Sequence, residues 1–124
     1  MTMMPSPPVS RVLLYVRDPE KIADFYALHF GYVRLPRRHH DLLEITSSRG
    51  DFSLLLHQAS KGHRIGQSCI KLVFDVDDIA GFKAAAAKQG LRFGPICKGE
   101  GYEFANARDP AKNPIQISRR AFLS

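Results

Sequence analysis

The chain carries one pattern twice. Val16-Arg17-Asp18 is answered by Val76-Asp77-Asp78, Ile22-Ala23-Asp24-Phe25 by Ile79-Ala80-Gly81-Phe82, and Gly31 by Gly90. Self-similarity at a spacing of about sixty residues means a duplicated module, and this restricts the fold more than any composition can.

Each copy can be read element by element. RVLLYV (Arg11 to Val16) has the β-branched and aromatic enrichment of a strand, and Asp18-Pro19 supplies a helix N-cap with proline at the first helical position. In PEKIADFYALHF, residues Ile22, Phe25, Tyr26, His29 and Phe30 form one apolar helical face, and Gly31 ends the helix. Strands are predicted at Tyr32 to Leu35, Leu42 to Thr46 and Phe52 to His57, with Arg49-Gly50-Asp51 as a hairpin turn. The order is βαβββ. A polar, basic connector, QASKGHRIGQS, separates this copy from the next. IKLVFDV is then a strand and DDIAGFKAAAAKQG an alanine-rich helix closed by Gly90. Three strands are predicted around Phe93 to Cys97, Tyr102 to Asn106 and Ile115 to Ser118. The expected organisation is a single domain. It has a Pro-rich leader (1–9), a first module (10–57), a connector (58–68) and a second module (69–120).

A length of 124 residues with 44% hydrophobic residues suits one self-sufficient core. The longest apolar runs, Ala84 to Ala87 and Leu54 to Leu56, are far too short for a membrane span, and the N-terminus does not read as a signal peptide. No membrane partner and a cytoplasmic location are expected. Cys69 and Cys97 have no CxxC spacing, so the default is two buried, reduced thiols. The net charge of +6 favours anionic partners.

Three stretches, VRDPEKIADFYALHFGY, LVFDVDDIAGFKAAAAKQG and FANARDPAKNPIQI, stand in an order and spacing that resemble the vicinal oxygen chelate superfamily. That superfamily contains glyoxalase I, extradiol dioxygenases, fosfomycin-resistance enzymes and bleomycin-resistance proteins. The resemblance runs from about Arg11 to Ile117. It implies an α+β, glyoxalase/bleomycin-resistance-like fold: two tandem βαβββ modules forming a curved mixed sheet, helices outside, and a ligand on the concave surface.

In metal-using members, each module's first strand and each module's last strand supply ligands. By motif register those positions here are Arg11, Leu55, Lys71 and Gln116. Divalent metals need carboxylate or imidazole lone pairs, which a guanidinium, an ammonium and a leucine lack. A unit cation about 4 Å from another also costs roughly 4 kcal/mol at an effective dielectric near 20. The resemblance therefore implies no metal centre and no cofactor at these positions, with Gln116 turned toward the cavity.

By strand alternation Leu13 and Tyr15 accompany Arg11, Val73 and Asp75 accompany Lys71, and Ser53 accompanies Leu55. The expected ligand-binding set is Arg11, Leu13, Tyr15, Leu55, Lys71, Val73 and Gln116. Arg11 and Lys71 read either as an anion site or as members of internal salt bridges, with Glu44 or Glu103 as neighbours. His57, two residues after Leu55, is the best-placed catalytic acid or base, its alternative being an exposed imidazole at a strand end. His39-His40 read as loop residues, His29 as packing, and His63 as a connector residue without an assigned role.

Two functions compete. One is metal-independent binding of a small anionic or aromatic molecule, and the other is glyoxalase- or dioxygenase-like chemistry on a small oxygenated substrate. Nucleic-acid binding through Arg34, Arg37, Arg38, Arg49, Lys61 and Arg64 has charge in its favour but no recognised module, so no nucleic-acid partner is expected. The resemblance implies a homodimer, in which modules are exchanged between subunits in some relatives.

Overall fold

A computed structural model describes residues 9–36, 42–62, 64, 67, 70–99 and 101–123. The first strand β1 (Arg11–Val16) leads into helix α1 (Pro19–Phe30), then β2 (Val33–Arg34), β3 (Leu42–Thr46) and β4 (Ser53–Gln58). The second copy follows with β5 (Leu72–Asp75), α2 (Ile79–Lys88), β6 (Cys97–Gly99), β7 (Tyr102–Arg108) and β8 (Pro114–Ser118). A short 3-10 helix, Arg120–Phe122, comes last.

Local chemistry explains the helix ends. The Asp18 carboxylate accepts from the Lys21 N–H at 3.2 Å, Pro19 occupies the first turn, and Asp78 caps α2 by accepting from the Gly81 N–H at 3.0 Å. Gly31 closes α1 at φ 70, a left-handed conformation that a side chain would strain, and its N–H donates to the Ala27 carbonyl. On the exposed side of α1, Arg34 of β2 holds both Glu20 and Asp24. Its hydrogen bond to Asp24, more than any other effect, raises the guanidinium pKa further.

The duplication is visible in topology. One sheet has the order β1-β4-β3-β2 and the other β5-β8-β7-β6, each with its first and last strands parallel and the other pairs antiparallel. Period-2 alternation then divides each sheet. Val12, Leu14 and Val16 of β1, Leu54 and Leu56 of β4, and Ile115 and Ile117 of β8 face the helices and the core. Among the described residues no α-helix packs on the opposite, open faces, although the 3-10 helix covers one end of the second, where the Arg120 N–H donates to the buried Ser118 hydroxyl.

Among the described residues, an aromatic and a polar feature join the modules. Phe30 of α1 stacks on Phe74 of β5, centroids 3.9 Å apart at 17°, with Tyr26, Tyr32 and Phe82 around the pair. The other is polar. The fully buried Tyr26 hydroxyl donates to Asp109 Oδ2 at 2.6 Å, across the module boundary. Asp109 also accepts from the Ala111 and Asn113 N–H groups at 2.9 and 2.8 Å and from the Asn113 amide at 3.3 Å. A buried carboxylate is tolerable only with such a set of donors. Burial, then the charge of Asp109, drives the Tyr26 phenol pKa far upward, so it stays a donor at any ordinary pH.

The structure corrects two expectations. The strand predicted around Phe93 to Cys97 is irregular over 91–96, and β6 begins only at Cys97. Pro95 has no N–H to give a ladder, and the segment is held instead by the Gly94 N–H donating to the Asn106 carbonyl at 2.8 Å and by the buried Leu91 and Phe93. Cys97 is half-buried rather than buried, and its free thiol lies 3.6 Å from the Pro95 carbonyl. Cys69, His39, His40 and His63 lie outside the described residues.

Candidate functional site

The open face of the first sheet brings Arg11, Leu13, Tyr15, Leu55 and His57 together. The parallel register sets Arg11 beside Ser53, Leu13 beside Leu55 and Tyr15 beside His57, while the antiparallel register sets Glu44 beside Leu55. On the second sheet, Val73 lies beside Gln116, and Gln116 beside Asn106. Lys71 shares that face, because its ammonium reaches Asn106. The expected residues thus form two clusters, one per sheet.

Charge is handled within each cluster. Arg11 Nε lies 3.1 Å from Glu44 Oε2, and the bridge spans β4, which separates the two strands. The Arg11 side chain is 56% exposed, so this pair contributes about 0–1 kcal/mol to stability and mainly orients the guanidinium. In the second cluster, Lys71 Nζ donates to Asn106 Oδ1 at 3.0 Å and Gln116 Nε2 donates to the same oxygen at 2.9 Å. An ammonium can only donate, so Asn106 must present its oxygen and Gln116 its NH2 group. Gln116 Oε1 is thereby the atom of this network left to accept from a ligand.

His57 is half-buried, its ring 5.5 Å from that of Tyr15, and Nδ1 lies 2.9 Å from the Gln58 carbonyl. A carbonyl only accepts, so Nδ1 carries the proton and Nε2 holds the lone pair. The imidazole can accept a hydrogen bond or a proton at Nε2. Around these polar groups the surface is apolar: Leu13, Tyr15 and Val73 are 41, 46 and 54% exposed, too much for side chains packed in a core.

Glu44 and Asn106 are the polar residues that organise the clusters. Glu44 is legible as an open-face residue by alternation with the buried Leu43 and Ile45. Asn106 is not, because its partnership with Gln116 depends on the β7–β8 register. Tyr102 and Phe104 belong to the same open face as Asn106, two and one alternations away.

His29 lies elsewhere, on α1 against Phe25 with ring centroids 4.8 Å apart, and burial lowers its pKa. Protonation is thus favoured in the unfolded chain, where imidazole titrates near about 6.5. Stability should rise with pH between the lowered folded value and about 6.5, and be lost as pH falls through that window. Urea titrations from about pH 7 to 5 should show a shallower decline for His29→Gln than for the native chain. An unchanged slope would remove His29 from the acid response.

The metal centre that the superfamily implies does not fit these residues. Arg11 is a guanidinium committed to Glu44, Lys71 an ammonium committed to Asn106, and Leu55 has no donor atom. Gln116 offers one neutral carbonyl oxygen. Among the described residues, no three His, Cys, Asp or Glu side chains converge as ligands would.

No curated protein sequence matches the chain. Among solved structures it is similar to TnmS3, an antibiotic-binding protein from Streptomyces sp. CB03234, at 24% identity over 93% of this chain and 97% of that one, with a TM-score of 0.77. It is also similar to a lactoylglutathione lyase from Agrobacterium tumefaciens, at 20% identity over 92% and 94% of the two chains, with a TM-score of 0.72. An integron cassette protein from the mobile metagenome of Halifax Harbour sewage outfall gives 16% identity, 90% and 97% coverage and a TM-score of 0.76. At these identities the likenesses establish the fold. A family model matches residues 9–117, from the approach to β1 almost to the end of β8. With both βαβββ modules inside that match, the chain belongs to the Glyoxalase/Bleomycin resistance protein/Dioxygenase superfamily.

Proposed function

We propose that this protein is a metal-independent binding member of its superfamily, holding a small anionic or aromatic molecule against its open sheet faces as a homodimer. What supports the reading is the chemistry of Arg11, Leu55, Lys71 and Gln116, the positions that the family resemblance assigns to metal donors: Arg11 is paired with Glu44 and Lys71 with Asn106, beside exposed Leu13, Tyr15 and Val73. Apolar walls with a few fixed polar groups suit a small organic ligand. A second copy would cover apolar surface that a lone chain leaves in water. The similarity to an antibiotic-binding protein is consistent with capture of a small molecule. The net charge of +6 argues against a cationic one. Among the described residues, no helix is long and apolar enough to cross a membrane.

Anilinonaphthalene sulfonate, an aromatic anion, is the probe for this reading. Fluorescence titration should give saturable binding to the native protein, weakened about tenfold or more by Tyr15→Ala and by Lys71→Ala. Equal affinity in both variants and the native protein would contradict the proposal.

A further inference from the structure

Behind the first sheet lies a cleft of about 700 Å³, between the end of α1, the turn joining β3 to β4, and β5. Its floor includes Val12 and Leu54, which alternate with the open-face residues Leu13 and Leu55, so β1 and β4 separate the cleft from that face. Strand β5 ends its sheet, and its free edge forms one wall. Lys71, Val73 and Asp75, on the open side of the second sheet, also border the cleft, and the Lys71 ammonium donates to Asn106 at 3.0 Å.

The remaining lining has two parts. Phe30, Phe52, Phe74 and Phe82 supply half-buried ring surface, with Phe30 and Phe74 already stacked as one slab. At the rim stand Tyr32, Arg49 and Asp51. Asp51 is committed, since the Ser47 hydroxyl donates to it at 2.8 Å. Among the described residues, no hydrogen bond or ion pair engages the Arg49 guanidinium or the Tyr32 hydroxyl. Burial, and then the charge of Asp51, raise the Tyr32 pKa, which keeps its hydroxyl protonated and able to donate.

An aromatic-walled volume of this size, with an uncommitted cation and a phenol donor at its mouth, matches a small-molecule pocket, for which about 300–1,000 Å³ is usual. We infer that the cleft is a second ligand site, distinct from the open face of the first sheet, which takes a planar aromatic carboxylate with its rings against the phenylalanines and its acid group on Arg49 and Tyr32. The planar fork of arginine matches a carboxylate with two parallel hydrogen bonds, which a lysine cannot reproduce. A flat ring system fits because the cleft's largest surfaces are aromatic faces and edges.

Naphthoate is the test ligand, followed by calorimetry and by amide chemical shifts of the full chain. The expected result is saturable binding with shifts centred on residues 48–52 and 72–76. Arg49→Ala should weaken it about tenfold or more, Arg49→Lys should recover only part of the loss, and Tyr15→Ala should have no effect. Arg49 is exposed at a turn, so neither variant threatens folding. Absence of saturable binding, or loss in Tyr15→Ala with none in Arg49→Ala, would overturn the inference. The open-face reading stands or falls separately, on the sulfonate probe with Tyr15→Ala, whose residue does not border the cleft.

Discussion

Asp109→Ala should lower the unfolding free energy by about 3–5 kcal/mol, the largest loss expected from any single substitution in this chain. The carboxylate is 4% exposed and receives four hydrogen bonds, one of them from the fully buried Tyr26 hydroxyl. Its removal strands that hydroxyl and two backbone N–H groups, each unsatisfied donor costing about 1–3 kcal/mol. Against a typical total of about 5–15 kcal/mol, much of the stability would be gone. Tyr26→Phe is the milder partner and should cost about 1–2 kcal/mol, because it withdraws only one donor from a carboxylate that keeps three. Urea unfolding of both variants measures the difference. A loss below about 1 kcal/mol for Asp109→Ala would mean that the loop before β8 finds other partners.

The second large effect is expected at Phe74. Its ring touches Phe30, Tyr26 and Tyr32, all from the first module, so Phe74→Ala opens a gap where the modules meet. Complete burial would place the cost at about 3–5 kcal/mol, and a half-buried ring brings it to about 2–4. Leu28→Ala is the control. Leu28 is on the same helix as Phe30 but 58% exposed, and its truncation should change stability by less than about 0.5 kcal/mol. Equal losses in the two variants would refute the aromatic seam as the main apolar link between modules.

Much of the architecture was legible because its signals are local. Asp18-Pro19 and Gly31 mark the ends of α1 through cap chemistry, and the alternation in RVLLYV separates Val12, Leu14 and Val16 from Arg11, Leu13 and Tyr15 before any pairing is known. Where the reading failed, the decisive interaction was distant or the usual marker was missing. Phe93 and Leu91 are apolar as strand residues would be, yet Gly94-Pro95 interrupts the ladder and they serve as packing. The turn before β8 places Lys112 at φ 68, a conformation that glycine would have advertised, and the Asp109 backbone holds it there by accepting from the Lys112 N–H at 2.8 Å.

The candidate site divides along the same line. Alternation assigns Arg11, Leu55, Lys71 and Gln116 to faces, but it cannot tell that Arg11 finds Glu44 across an intervening strand or that Asn106 receives both Lys71 and Gln116. Those partners depend on register between strands far apart in the chain. The cleft behind the first sheet depends on packing between modules and left no mark in either repeat.

Elemental analysis tests the central claim most directly. The protein would be purified without chelator or affinity metal, incubated with iron, zinc, manganese and nickel in turn, and desalted thoroughly before measurement. The account predicts no metal above the buffer blank, because Arg11 and Lys71 repel a cation and Leu55 cannot bind one. One tightly held ion per chain or per dimer would contradict it. The side chains at Arg11, Leu55, Lys71 and Gln116 would then not be the ones that occupy the superfamily's ligand positions.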